Sequence, residues 1–191
     1  MPAISDNGAP AILDVAEALV QRKGFNRFSY ADVAAELHVT RASIHYHFAG
    51  KADLGEALIV RYGERFGAAL ADIDERLDDE GDKLAAYAEL YAGVLADDRM
   101  CLCGMLAAEY ATLPDGMQHA VETFFADNQR WLETVLESGR RRGTLAFDGA
   151  AADAAQLILS GLEGATLVAR PFGGVERFRA AARALLAPFA A

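Results

Sequence analysis

The sequence lacks the marks of secreted and membrane-spanning proteins. Its first ten residues, MPAISDNGAP, contain no basic region followed by an apolar core, so we expect no secretory signal. Charged residues interrupt the chain too evenly to leave an apolar segment that would span a membrane. Only two cysteines are present, and because a single residue separates them they cannot cross-link distant parts of a fold. We therefore expect a protein of the reducing cytoplasm.

Strand-like patterns, internal repeats and low-complexity segments are also lacking. With 53% hydrophobic and 24% charged residues, the chain has ample apolar content for a core. The apolar residues recur at helical spacing, which predicts an all-α protein of about nine helices. The predicted helices are residues 9–23, two short helices between 30 and 47, then 51–79, 83–96, 102–112, 117–142, 149–170 and 174–189.

A helix start is clearly marked within residues 28–51, FSYADVAAELHVTRASIHYHFAGK. Ser29 is followed three residues later by Asp32, which is the spacing of a capping box. In such a box the two side chains satisfy backbone N–H groups that the first helical turn leaves free. We therefore expect a short helix to begin at Tyr30.

A tight turn and a second short helix should follow. His38 lies where the chain must turn, and histidine adopts a positive φ more readily than most residues. Thr40 is a good N-cap for a helix over residues 41–47, with Ile44 and Phe48 on its inner face. This arrangement fits a helix-turn-helix whose second helix enters a DNA major groove. The outer face of that helix is predicted to carry Thr40, Arg41, Ser43, His45 and Tyr46.

The segments ILDVAEALVQRKGF and FSYADVAAELHVTRASIHYHFAGKADL resemble the N-terminal domain of the TetR family of bacterial transcriptional regulators. The resemblance covers about residues 11–55 without a gap, which is more specific than a generic helix-turn-helix pattern. Two positions depart from the family, since His38 replaces the usual turn glycine and His45 the usual tyrosine. The resemblance implies a three-helix DNA-binding head at residues 1–51 and a helical effector-binding and dimerisation body at 52–191.

The resemblance also implies roles for the residues of the head. Ser29 and Thr40 lie at helix N-termini, where hydroxyl and N–H groups contact phosphates. Lys51, just past the second helix, should pair with a phosphate. Arg41 and Ser43 are the candidates for base edges, because arginine can bridge O6 and N7 of guanine.

Histidine and tyrosine side chains complete the candidate surface. His45, Tyr46 and His47 are candidates to contact phosphates or thymine methyl groups, and for His47 a packing role is equally open. The candidate DNA-binding residues are Ser29, Tyr30, Thr40, Arg41, Ala42, Ser43, His45, Tyr46, His47 and Lys51.

The net charge of −10 argues at first against a DNA-binding protein. Its distribution removes the objection, because residues 1–51 hold five basic residues, five acidic residues and three of the four histidines. Residues 52–191 therefore carry the whole negative balance. Attraction to DNA depends on the field close to the phosphates, so a neutral head on an acidic body can bind a duplex.

Cys101 and Cys103 are the most suggestive residues of the body. A metal site is not supported, because no further cysteine and no cluster of histidines lies nearby in the sequence. A disulfide is not supported either, because a bond between residues two apart on a helix would be strained. Two hypotheses stay open. The cysteines form a redox or electrophile sensor, because a helix start lowers the pKa of a thiol, or they are two small buried residues of the core. The segment CLCGMLAAEY resembles a cysteine-bearing segment of TetR-like regulators that sense electrophiles or oxidants, with Met100 replacing a glycine.

Cys101 is the better sensor candidate, since Cys103 lies further into the predicted helix. A competing class is an enzyme with Cys101 as nucleophile and His119 as its base. The sequence offers no third orienting group or oxyanion loop near them. No metal and no cofactor are expected.

A small-molecule effector cavity, which the family resemblance implies, should lie within the helices between about residues 62 and 169. The large aromatic and methionine side chains of this region favour an apolar or aromatic effector, although each of them can equally be plain core. Glu109 and His119 are candidate polar anchors. The candidate ligand-binding residues are Tyr87, Tyr91, Cys101, Met105, Tyr110, Phe124 and Trp131.

The last two predicted helices carry a broad face of small and apolar residues, with Gly161 and Gly164 allowing close approach. The resemblance favours a four-helix interface in a homodimer, and the alternative is a second core layer. Two-fold symmetry would place two recognition helices about 34–36 Å apart on a palindromic operator. The candidate interface residues are Ile158, Leu162, Ala165, Ala169, Phe178 and Leu185.

These features together predict a homodimeric repressor that binds a double-stranded operator. An effector, or a modification of Cys101, is expected to shift the population towards a body conformation in which the long helix after Lys51 moves the heads. The alternatives are a constitutive DNA-binding protein without an effector and the cysteine-dependent enzyme.

Overall fold

The computed structural model describes residues 8–172 and 174–191. Part of the segment expected to lack a secretory signal, residues 1–7, lies outside the described residues. Within the described ranges the chain forms nine α-helices and no strand, which confirms the predicted all-α class. The helices are α1 (Ala9–Lys23), α2 (Tyr30–Glu36), α3 (Arg41–His47), α4 (Lys51–Arg76), α5 (Glu80–Ala96), α6 (Leu102–Ala108), α7 (Asp115–Arg142), α8 (Ala151–Ala169) and α9 (Val175–Leu186).

Local signals fix the ends of the first three helices, and the predicted boundaries are confirmed there. The backbone N–H of Gly24 donates to the carbonyl of Val20 over 2.8 Å, and Gly24 adopts a φ of 86°. A glycine after the last helical residue ends a helix in this way because it lacks a Cβ. None of the helices in the described ranges is both long and apolar enough to cross a membrane.

Later boundaries differ from the prediction by a few residues. α4 ends at Arg76 rather than at about residue 79, because the side chain of Asp79 caps the next helix. α5 therefore begins at Glu80. α7 begins at Asp115, directly after Pro114, two residues earlier than predicted.

Three helices end in short 3-10 turns where the sequence predicts a longer α-helix. α6 stops at Ala108 instead of continuing to residue 112, and a separate 3-10 turn covers Tyr110–Thr112. α8 is followed by Arg170–Phe172 and α9 by Ala187–Phe189, again as 3-10 turns. The tighter i→i+3 hydrogen bonds of such turns are common at helix ends, and sequence periodicity does not distinguish them from a continued helix.

The chain divides into two compact units. The first contains the described residues up to Glu64 together with Leu102–Thr123. The second contains Arg65–Cys101 together with Phe124–Ala191. The predicted boundary after residue 51, which separates a DNA-binding domain from a body, stays a prediction.

The core of the first unit joins α1, α2 and α3 to the beginning of α4, with α6 packed against α1. Ile12, Val33, Ile44 and Leu54 are all fully buried. Burial of each such side chain contributes roughly 1.5–3 kcal/mol relative to leaving it exposed. The small head is therefore held by one aliphatic core to which every helix contributes.

The core of the second unit is rich in aromatic residues. α5, α8 and α9 pack against one another. The ring of Phe66 lies 6.0 Å from that of Tyr87, 6.0 Å from that of Tyr91 and 5.3 Å from that of Phe124. The interplanar angles of 71–83° are edge-to-face, an arrangement that adds to the stabilisation from burial alone.

Candidate DNA-binding surface and effector site

The helix-turn-helix is built by the two caps that the sequence predicts. The N–H of Ser29 donates to Asp32 over 2.7 Å, and the Asp32 N–H donates back to the Ser29 hydroxyl over 3.4 Å. Thr40 accepts a hydrogen bond from the N–H of Ser43 over 3.2 Å. Between these caps His38 adopts a φ of 55°, which confirms that histidine can replace the turn glycine.

α3 presents the polar face expected of a recognition helix. Arg41, Ala42, His45 and Tyr46 are exposed, and Tyr46 is 76% exposed, the largest value among the exposed large hydrophobic residues. Ile44, on the opposite side, is completely buried. A single buried residue thus orients the helix so that its polar side chains face outwards.

Tyr30 lies beneath α3 rather than on its surface. Its side chain is buried, its hydroxyl donates to the carbonyl of Phe48 over 3.1 Å, and its ring lies 4.7 Å from the imidazole of His45. Burial, and then the nearby charge of Asp53, raise the pKa of Tyr30 to about 12. The hydroxyl is therefore engaged in fixing the end of α3.

The two histidines of α3 have different surroundings. Nδ1 of His45 lies 3.2 Å from the carbonyl oxygen of Ala49, so this ring is held against the chain even though it is exposed. His47 is half-buried, and its Nε2 atom has no hydrogen-bond partner among the described residues. Its ring packs edge-on against Tyr46 at 5.1 Å.

Lys51, expected to pair with a phosphate, lies on two aromatic faces. Its Nζ is 4.5 Å from the ring centroid of Phe25 and 4.6 Å from that of Phe28. Burial lowers the pKa of Lys51, and the charges of Glu109 and Asp32 oppose that shift. Such cation–π contacts fix a charge in position while leaving part of it available to an anion.

The two candidate polar anchors of the effector pocket are engaged elsewhere. The carboxylate of Glu109 accepts hydrogen bonds from the backbone N–H groups of Phe25 and Asn26. The imidazole of His119 is 83% exposed and lies 3.8 Å from the carboxylate of Glu122. Glu109 therefore binds the backbone of the α1–α2 turn, and His119 lies on the surface.

The aromatic ligand candidates of the second unit form a connected polar and aromatic cluster. Tyr87 and Tyr91 are buried, and their hydroxyl oxygens are 3.1 Å apart. The Tyr87 hydroxyl donates to Asn128 over 3.2 Å. Trp131 stacks on Tyr87 at 5.5 Å, and its Nε1 donates to Asp74 over 2.8 Å. Burial is the main reason why the pKa values of both tyrosines are raised.

The remaining ligand candidates separate into different parts of the chain. Phe124 and Cys101 are buried in the second unit, whereas Met105 and Tyr110 belong to the first. The Tyr110 hydroxyl donates to Glu122. A cavity of about 620 Å³ also lies in the second unit, along α5 and α9, and none of the predicted ligand residues lines it.

Cys101 and Cys103 form no disulfide and are 2% and 0% exposed. The Cys101 thiol hydrogen-bonds to the carboxyl group of Glu163 on α8. Burial raises the pKa of Glu163 to about 7, and the bond from Cys101 opposes that shift. Oε1 of Glu163 is buried and has no hydrogen-bond partner among the described residues.

Sequence reasoning missed Glu163. The available signal was an acid between Leu162 and Gly164, in the middle of a helix that is otherwise rich in small and apolar residues and whose other acid, Asp153, lies in the first turn. No group of three or more histidine, cysteine or acidic side chains in the described ranges is arranged to hold a metal ion.

The candidate dimer residues lie mostly on the inner face of the last two helices. Ile158, Leu162 and Phe178 are fully buried and Ala169 is 1% exposed, while Ala165 and Leu185 are half-buried. The reason is that α8 packs against α5 and α9 of its own chain. The outer side of α8 and the turn after it leave large apolar side chains exposed instead, namely Leu157, Leu167, Val168 and Phe172.

Comparison with known proteins accounts for both parts of this architecture. Residues 12–58 match the family model of bacterial regulatory proteins of the tetR family, and residues 81–185 match the tetracyclin repressor-like C-terminal domain. No protein of curated function matches the chain.

Solved structures agree with the family models. A TetR-family transcriptional regulator from Agrobacterium tumefaciens is 34% identical, with 97% of this chain and 99% of that chain covered and a TM-score of 0.93. A TetR transcriptional regulator from Legionella pneumophila is 32% identical, with coverages of 98% and 100% and a TM-score of 0.87. The reduced form of E. coli NemR, 23% identical over 96% of this chain and 98% of that one, shares the fold with a TM-score of 0.83. This chain belongs to the TetR family of transcriptional regulators, DNA-binding proteins with a C-terminal ligand-binding domain.

Proposed function

We propose that the chain acts as a homodimeric repressor that binds a palindromic operator through α3 and leaves it when the body is occupied or modified. The observation that carries the DNA-binding part is the outward polar face of α3, with Arg41 and Tyr46 exposed and Ile44 buried beneath them. Because its target is chromosomal DNA, we place the protein in the cytoplasm.

Contacts with DNA divide into base-reading and positioning roles. Arg41, in the first turn of α3, is proposed to contact a guanine, and Tyr46 a phosphate or a thymine methyl group. Lys51 is proposed to attract a phosphate from its place on Phe25 and Phe28. Tyr30 is proposed to support α3 from below, since its hydroxyl is bound to the Phe48 carbonyl.

The DNA-binding proposal is tested with duplexes selected from a random library by the wild-type protein. Arg41→Ala should weaken binding to the selected duplex about tenfold or more, because one good base contact contributes roughly 1–3 kcal/mol. The matched control is Arg130→Ala, which removes an exposed arginine of α7. Equal affinities of the wild-type protein and the Arg41 variant would contradict the assignment.

Dimerisation is proposed to use the outer side of α8. Leu157, Leu167 and Val168 are 57%, 63% and 54% exposed, and Gly164 lies on the same side with open space above it. Apolar residues that a single chain leaves exposed on one helix are typical of a two-fold interface. Leu167→Glu should therefore give a monomer in analytical ultracentrifugation. Val60→Glu, at an exposed valine of α4, should stay dimeric.

Two routes of release are proposed. A small apolar or aromatic effector would bind among the aromatic residues of the second unit, near Tyr87 and Tyr91. Modification of Cys101 faces two obstacles, because the thiol is buried and a thiolate there would stand against the carboxyl group of Glu163. Retention of oxidant-driven DNA release by Cys101→Ser would exclude the second route. Loss of that release would support it.

A further inference from the structure

A carboxylate from the end of α6 holds the turn between α1 and α2. Oε2 of Glu109 accepts a hydrogen bond from the N–H of Phe25 over 2.7 Å and from the N–H of Asn26 over 3.2 Å. The Asn26 side-chain amide donates to the Thr112 hydroxyl over 2.8 Å. Two consecutive backbone N–H groups of the turn are therefore bound to one charged group that lies more than 80 residues away in the sequence.

The turn is shaped to admit this carboxylate. A Cβ added to Gly24 would lie 2.7 Å from Oε1 of Glu109, closer than real contacts allow, and Gly24 has a positive φ of 86°. Only glycine meets both conditions without strain. The glycine that ends α1 is thus also the residue that lets the carboxylate approach.

Glu109 is itself fixed from the other side. Its carbonyl oxygen accepts hydrogen bonds from the N–H of Thr112 over 2.9 Å and from the Thr112 hydroxyl over 2.8 Å. The amide of Gln118 donates to the carbonyl oxygens of Tyr110 over 3.0 Å and Leu113 over 3.1 Å. The 3-10 turn after α6 is consequently tied to α7, and the carboxylate projects from a rigid support.

The α1–α2 turn that Glu109 binds is in contact with Lys51, the proposed phosphate-binding residue of the head. Phe25 packs edge-to-face on Phe28 at 5.5 Å, and Lys51 rests on both rings. Phe28 immediately precedes Ser29, the cap of α2. A displacement of the Phe25 backbone would therefore move the support of Lys51 and the entry to the helix-turn-helix together.

We propose that Glu109 is a positioning residue for DNA binding. Its carboxylate holds the α1–α2 turn, and through it α2 and Lys51, in the arrangement that fits the operator. Releasing the carboxylate lowers operator affinity without removing a contact to DNA. The inference rests on the DNA-binding role of the head and adds a residue outside the helix-turn-helix to it.

Glu109→Gln tests the inference, because it keeps the size of the side chain and removes its charge. We expect its affinity for the duplex selected by the wild-type protein to fall about tenfold, which corresponds to 1.4 kcal/mol. A purely electrostatic role predicts the opposite, since loss of a negative charge near Lys51 would tighten binding to phosphates. The matched control is Glu64→Gln, which removes the same charge from an exposed residue of α4 in the same unit and should bind as the wild type does.

Two readouts separate positioning from direct contact or from general damage. The slope of log affinity against log salt should fall by no more than about one in Glu109→Gln, because the only phosphate contact that the released turn can weaken is that of Lys51. Amide hydrogen exchange at Phe25 and Asn26, followed by NMR, should become faster, while the amide of Phe48, which donates to the carbonyl of Ile44 over 2.9 Å, stays protected. A slope that falls by about two or more, or binding as tight as that of the wild type, would overturn the proposal.

A second variant keeps the test decisive if Glu109→Gln does not fold. Thr112→Val has nearly the same volume and removes the acceptor of the Asn26 side chain. It should weaken binding about twofold to threefold, with a salt slope that falls by no more than about one, and unchanged affinity would count against the inference. If the wild-type protein enriches no duplex at all, the proposed repressor function fails instead, so the two failures are distinguishable.

Discussion

Glu80, the first residue of α5, and Glu163, in α8, each place a carboxyl group in the interior of the second unit. Their pKa values shift in opposite directions. Glu80 is 1% exposed and accepts hydrogen bonds from Ser138 over 2.8 Å, Arg142 over 2.9 Å and Thr144 over 2.5 Å. Glu163 is bonded to the Cys101 thiol, and its Oε1 has no partner among the described residues.

The number of donors, rather than burial, decides the charge of each group. Burial on its own raises both pKa values. At Glu80 the bonds from Thr144 and Ser138 and the charge of Arg142 outweigh burial and lower the pKa to about 2. At Glu163 one weak thiol donor does not compensate, and the pKa rises to about 7. The first carboxylate anchors the fold, and the second titrates near neutral pH.

The two groups therefore stabilise the protein in opposite pH ranges. A lowered folded-state pKa contributes stability above the unfolded value of 4.5, and that stability is lost as pH falls towards 2, which is the case of Glu80. A raised folded-state pKa contributes stability below 4.5, and that stability is lost as pH rises through about 7, which is the case of Glu163. Stability should consequently decline on both sides of mildly acidic pH.

Glu80→Ala is the change with the largest expected effect. It removes the carboxylate that accepts from Ser138 and Thr144 and that pairs with Arg142, whose guanidinium keeps only the Asp78 carbonyl. We therefore expect the free energy of unfolding at pH 7 to fall by about 3 kcal/mol. Urea denaturation at pH 7 and pH 3 measures it, and the difference from the wild type should shrink at the lower pH.

The matched control is Glu137→Ala on α7, whose carboxylate lies 3.8 Å from Arg141 at the surface. Exposed ion pairs contribute little, so this variant should lose no more than about 0.5 kcal/mol. Equal losses in the two variants would mean that the three donors do not distinguish Glu80 from a surface acid.

Glu163→Gln should act in the opposite direction. The amide cannot ionise, so the variant should be more stable than the wild type at pH 8, by on the order of 2 kcal/mol, and similar at pH 5. The figure is reduced from the full shift because the side chain as a whole is only half-buried. Thermal unfolding midpoints between pH 5 and pH 8 measure the effect.

Glu176→Gln on α9 removes an acid that is 82% exposed and is the control for this prediction. Its pH profile should follow that of the wild type within about 0.5 kcal/mol. If the Glu163 variant keeps the wild-type decline between pH 6 and pH 8, the group responsible for the decline lies elsewhere.

The sequence separation between interacting residues explains which features could be predicted from the sequence. The head is determined by signals a few residues long, since Ser29, Asp32 and Thr40 act on N–H groups three positions away at most. The helix bounds and the outward residues of α3 followed from such local chemistry and from the family resemblance.

The body depends on contacts that no short pattern contains. Glu80 meets partners 58–64 residues away, and Glu109 meets Phe25 across 84 residues. Periodicity marks α8 as broadly apolar but does not show which side faces α5 and α9. Ile158 and Leu162, two of the predicted dimer residues, are fully buried within one chain, and their place in an interface stays a prediction. A helix that is apolar nearly all round gives no preferred direction.

Cys101→Ser is the smallest of the expected changes and tests the partner of Glu163 directly. A serine hydroxyl is a stronger hydrogen-bond donor than a thiol, so it should favour the ionised carboxylate and lower the pKa of Glu163. We expect the neutral-pH decline in thermal stability to move to lower pH, with a change in stability at pH 5 below about 1 kcal/mol. Cys103→Ser, at a buried cysteine of the first unit, is the control and should leave the midpoint of that decline in place even if it destabilises the protein. If both variants move the midpoint equally, or neither does, the Cys101 thiol does not set the charge of Glu163. Burial without donors would then be the reason why the pKa of Glu163 differs from that of Glu80.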